Sequence, residues 1–107
     1  MPVIRIDFDK DQIDEKEVLG LSNAIQKIVS DVTEIEDVFV YANNSQIKVK
    51  VAPIEIFIQM SEHKIKDTDA LVADIKRRIV EWKSESSFSY LINMSFIPMP
   101  WKIEVGI

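Results

Sequence analysis

Hydrophobic residues recur at two spacings along this chain, and the switches between them mark out its elements. Residues 3–8 alternate, with Ile4, Ile6 and Phe8 on one side and Arg5 and Asp7 on the other, which predicts a half-buried strand. From about Asp14 the spacing lengthens. Val18, Leu21, Ile25, Ile28 and Val32 then fall at three- and four-residue steps, the stripe of an amphipathic helix. Asp14 followed by Glu17 suits an N-cap with a returning carboxylate. A second strand is predicted through Val38-Phe39-Val40-Tyr41, ending at the turn cluster Asn43-Asn44-Ser45. Ile47-Lys48-Val49-Lys50-Val51 alternates again, and its lysines suit an exposed edge strand guarded against stray pairing.

The plan then starts over. Ala52 to Ile58 is strand-like, Asp67 or Thr68 can cap a helix carrying Leu71, Ile75, Ile79 and Trp82, and Tyr90 to Ile97 reads as another strand. The tail Trp101-Lys102-Ile103-Glu104-Val105 alternates behind the breaker Pro98-Met99-Pro100. Pro2 corresponds to Pro53, and Lys27-Ile28-Val29 to Arg78-Ile79-Val80, both at a shift of 51, which points to an internal duplication with pseudo-repeats over about 1–45 and 52–98. The expected fold is a single α+β domain, 1–107, of duplicated β-α-β units. It would have a four-stranded sheet with two helices on one face, plus short extra strands. Phe39, Tyr41, Phe57 and Phe96 are candidates to line the open face, and aromatics in that number imply burial by further copies of the chain.

Composition narrows the chemistry. With no cysteine in 107 residues, disulfides, thiolate catalysis and cysteine-based zinc sites are excluded. A net charge of −5 argues against a nucleic-acid backbone as the main partner. No apolar run approaches the ~20 residues of a membrane helix, and no signal-peptide pattern opens the chain. The expectation is a soluble, cytoplasmic protein with no membrane partner.

The residue with distinctive chemistry is Pro2, directly behind Met1 at the head of the first strand. If Met1 is removed, Pro2 becomes a secondary amine, a base that no internal residue supplies. An α-amino group titrates near roughly 7.7–8.0 in water, and desolvation disfavours its charged form. A proline amine beside apolar walls would therefore be neutral near physiological pH and able to shuttle protons. While Met1 is attached, that nitrogen is an amide without basicity.

A Met-Pro opening the first strand, followed by duplicated strand–helix–strand units, resembles the tautomerase superfamily. Within it, length and duplication are similar to the macrophage migration inhibitory factor and 5-carboxymethyl-2-hydroxymuconate isomerase type. The resemblance implies a homotrimer without cofactor, its sheets closing a barrel with the helices outside. It also implies an isomerase in which the Pro2 amine moves a proton on an enol or an α-keto acid. A neighbouring cation would hold the substrate carboxylate and a hydrogen-bond donor the developing oxyanion. Asn93 stands near where some members place a substrate-contacting polar side chain, although a core strand also holds an asparagine for its hydrogen bonds alone.

The second-strand region departs from the family pattern. Glu34 to Val40 is acidic and then apolar, with no cation where many members carry one. Arg5 is the nearest replacement, against the alternative of a solvated strand residue, and Lys48 or Lys50 could also serve. Phe39, Phe96 and Trp101 are candidates for an apolar pocket wall, and packing explains each of them as well. The competing functional reading is a non-catalytic oligomeric module of the same topology that binds a small molecule or only assembles.

Other signals carry less. Asp7, Asp9, Asp11 and Asp14 lack the glycine and glutamate of a calcium loop, since Gln12 and Val18 stand there, and read as a solvated loop and helix cap with no metal. His63 has no partner cluster, and Lys76-Arg77-Arg78 reads as the solvent face of the second helix.

Overall fold

The structure, a computed structural model, describes residues 1–107. Its elements are β1 (Val3–Phe8), α1 (Glu15–Thr33), β2 (Phe39–Asn44), β3 (Ile54–Ser61), a single 3-10 turn (Glu62–Lys64), α2 (Thr68–Ser86) and β4 (Asn93–Met99). The four strands form one sheet in the order β2-β1-β3-β4. β1 runs parallel to β2 and β3 parallel to β4, while β1 and β3 pair antiparallel at the centre. The chain is therefore two β-α-β units joined edge to edge, with Pro2 and Pro53 each one residue ahead of the first strand of a unit.

Alternation in the central strands sends Ile4, Ile6 and Phe8 of β1 and Ile54, Ile56 and Ile58 of β3 to one face. There they join Val18, Leu21, Ile25 and Val29 of α1 and Ile75 and Ile79 of α2 in one core, so both helices cover the same side. The helices begin and end alike. Asp14 accepts the Lys16 amide at 2.7 Å, so the cap bond runs through Lys16 rather than a returned Glu17 carboxylate, and Asp67 accepts the Ala70 amide at 3.1 Å. Glu34 and Ser87 close the two helices in left-handed conformation at φ 58° and 59°.

Three local expectations are corrected. Ile47–Val51 is not a strand: it connects β2 to β3 and forms no ladder with either edge of the sheet, and Ile47 and Val49 are fully exposed. The tail from Trp101 is likewise irregular. β4 begins at Asn93 and runs through Pro98 to Met99. β4 is an edge strand, where a residue without an N–H is tolerated.

Candidate active site around Pro2

Pro2 is fully buried. It continues the inward phase of Ile4 and Ile6, and its carbonyl accepts the Phe39 amide at 3.2 Å, which ties the head of β1 to the start of β2. In the β1–β3 ladder Val3 opposes Gln59, so one step further Pro2 comes level with Met60, itself 1% exposed and opposite Pro98. Val38, just before Phe39, is buried too. The proline thus lies on the helix side at one end of the sheet, in apolar surroundings.

The other candidates are divided between two faces. Arg5 opposes Tyr41 on β2 and Phe57 on β3, on the face away from the helices. Its Nε donates to Asp7 Oδ2 at 3.2 Å and its guanidinium lies 4.5 Å from the centre of the Phe57 ring. Phe39 shares that face and is 43% exposed. Asn93 lies on it as well, with Nδ2 donating to Glu55 Oε1 at 3.1 Å. Phe96 does not join them, because β4 turns it to the helix side, where it packs on the core; its expected place on the open face is corrected. Trp101 follows β4, half-buried in the irregular tail.

Pro2 and Asn93 are also separated lengthwise. Asn93 is level with Glu55 and Asp7, whereas Pro2 is five residues back along β1, about 16 Å at strand rise. Within one chain these residues do not form one site.

A cluster that the sequence reading did not assemble lies at the far end of β1. Asp9, 4% exposed, accepts bonds from Lys48 Nζ, from Gln12 Nε2 at 2.7 Å and from the Asp11 amide at 3.1 Å. Lys48 also bonds Asp11 Oδ2 at 2.6 Å. The bonds from Lys48 and then Gln12 hold the Asp9 carboxyl down at about 2, against the ordinary 3.8. Its bonds to Asp11 and Asp9 push the Lys48 amine up from 10.5. So Asp9 is not a solvated loop residue, and Lys48 is neither an edge guard nor a free cation for a substrate. Backbone bonds bring the partners together: Ser45 N to Phe8 O at 2.9 Å and Asp9 N to Pro53 O at 3.1 Å close the loop ends. The available signal was the acidic run opposite a lone lysine pattern after the second strand.

No family model matches this sequence, and no curated protein matches it. Solved structures do match. Malonate semialdehyde decarboxylase superposes with a TM-score of 0.67 at 7% identity, over 98% of this chain and 92% of that one. MIF2 of Leishmania major gives 0.66 at 11% identity over 99% and 95%, and a fused 4-OT wild-type asymmetric trimer 0.63 at 12% over 91% and 85%. At these identities the likeness is one of fold: the chain has the β-α-β architecture of the tautomerase superfamily.

Proposed function

We propose that this chain is a tautomerase or isomerase whose base is the Pro2 amine, freed by removal of Met1. One observation carries this reading: in a tautomerase-type fold, a proline follows Met1 and sits enclosed at the head of a central strand. In the reaction, the neutral amine takes the hydroxyl proton of an enol. The O–H electron pair becomes the carbonyl π bond, and the carbon–carbon π pair takes a proton back from the ammonium at carbon. Atoms and charge balance without cofactor or oxidant.

The site is completed by further copies, and the assembly is a homotrimer. Asn93 reaches a Pro2 only on another copy, since the two lie at opposite ends of one sheet. Phe39 at 43% and Tyr41 at 58% exposure also leave an aromatic surface for a neighbour. The fold neighbour described as a 4-OT asymmetric trimer supports assembly of this kind. In this reading Arg5, Phe39, Asn93, Phe96 and Trp101 are substrate-side residues, with Arg5 free to act only if it leaves Asp7 and Phe57. That engagement of Arg5 favours a second reading, a non-catalytic binding or assembly module.

The deciding experiment is ketonisation of enol phenylpyruvate by protein shown by intact mass to lack Met1, beside Pro2→Ala. Activity lost in Pro2→Ala supports the amine base. Equal background rates in both reject it for this substrate class in favour of the module.

A further inference from the structure

Helix α2 carries three stripes with different tasks. Ile75 and Ile79 enter the core, with Leu71 and Trp82 packed beside them. A second stripe is an ion network in which Arg77 pairs with Asp74 and with Glu81 at 2.9 Å, and Arg78 also reaches Asp74. These contacts occupy both arginines of the helix. The third stripe is Lys76, Val80 and Lys83, at steps of four and three on one side. Neither lysine pairs with an acid, and Glu85, the remaining acid of this stretch, lines the cleft toward α1 instead.

This third stripe borders a cleft of about 170 Å3 between α2 and the segment entering β4. Ile79 and Val80 form one wall, Leu91, Ile92 and Met94 the other, with Lys76 and Lys83 at the rim. Val80 is 57% and Leu91 79% exposed, although apolar, and nothing in the chain covers them. The volume is well below the roughly 300–1,000 Å3 of drug-sized pockets, so the cleft suits a short chain or a single ring. An apolar floor under two unpaired ammonium groups complements one kind of ligand, an apolar anion held by the local positive charge.

We propose that this cleft binds a small apolar carboxylate, with its hydrocarbon part between Val80, Leu91 and Met94 and its carboxylate on Lys76 and Lys83. The site is distinct from Pro2, which lies at the other end of the sheet. The flexible lysine stems allow both ammonium groups to converge on one anion.

The test uses the full chain labelled at methionine methyl groups, with the Met94 signal assigned by its loss in Met94→Leu. Octanoate should shift the Met94 methyl saturably and bind about tenfold more tightly than octanol, a difference of about 1.4 kcal/mol. Lys76→Gln with Lys83→Gln should abolish that preference while octanol still moves the signal, which shows that the variant keeps the cleft. Pro2→Ala should leave octanoate binding unchanged, separating this result from the fate of the isomerase reading. An unmoved Met94 methyl, equal affinities for octanoate and octanol, or a preference surviving without both lysines would overturn the proposal. So would a Met94 signal that changes on dilution without ligand, since another copy would then occupy the cleft.

Discussion

Truncation should act differently on the two faces of the sheet, costing stability on the helix side and assembly on the other. Ile56 lies at the middle of β3, opposite Ile6 and Met94, with no exposed surface. Removing its branched chain in Ile56→Ala takes buried methyl groups from the core and leaves a cavity, at a cost of about 2–5 kcal/mol. Domains of this size are stable by roughly 5–15 kcal/mol, so a loss of about 3 removes a large share. Unfolding entropy near 2.1 cal/mol/K per residue gives about 0.2 kcal/mol/K for this length, so Tm falls by about 13 °C. Tyr41→Ala, on the opposite face at 58% exposure, should change the stability of the isolated chain by no more than about 0.5 kcal/mol. The assay is urea and thermal denaturation followed by circular dichroism, with sedimentation velocity across a dilution series. The expected pattern is a large stability loss for Ile56→Ala and, for Tyr41→Ala, a normal monomer that assembles less. A loss below about 1 kcal/mol in Ile56→Ala would refute the packing argument. Unchanged sedimentation of Tyr41→Ala would refute burial of that face by other copies.

The Asp9–Lys48 pair makes a pH prediction at both ends of the scale. Asp9 titrates at about 2 in the folded chain against 3.8 ordinarily, so its contribution is present above about 4 and disappears as pH falls to about 2. Lys48 is raised above 10.5, so its contribution is complete below that value and is lost as pH rises through its higher folded value. The stability difference between wild type and Lys48→Met should therefore be constant at neutral pH and shrink at both extremes, and a difference constant to pH 2 contradicts the pairing. Ser87 ends α2 at φ 59°, where an L side chain costs about 1 kcal/mol, so Ser87→Gly should stabilise by about 0.5–1 kcal/mol and Ser87→Val destabilise, read from denaturant midpoints.

The helices and central strands were legible because their signals are local. The stripe from Val18 to Val32 and the alternation of residues 3–8 each report a face that must be buried, whatever covers it. Ile47 to Val51 shows where that logic fails. Its alternation matches that of a strand, but a strand also needs a ladder partner, and this connector pairs with neither edge of the sheet, β2 nor β4. Lys48 follows the same lesson, since its partners are 37 and 39 residues away and meet it only after Phe8 and Asn44 pair. Phe96 was readable and misplaced: Tyr90, Ile92, Met94 and Phe96 share an apolar phase while Asn93 and Ser95 are polar, which assigns Phe96 to the core.

The face away from the helices is chemically suited to being covered. Burying an unpaired charge is costly, whereas charges already satisfied at short range lose less on leaving water. On this sheet Arg5 is bonded to Asp7 and stacked on Phe57, and Glu55 accepts from Asn93, so these polar groups hold one another within the chain. Phe39 and Tyr41 meanwhile remain largely exposed beside them. A surface kept for solvent would gain from leaving its charges free and its aromatics few. The arrangement here leans the other way and favours covering by further copies through apolar area, while the Glu55 carboxylate, held only by the neutral Asn93 amide, is a charge that a neighbour would have to meet. It also limits the chemistry, because an arginine committed to Asp7 and Phe57 holds a substrate carboxylate only by giving up both contacts. Arg5→Lys, which weakens the stacking while keeping the charge, should therefore affect assembly before it affects any turnover at Pro2.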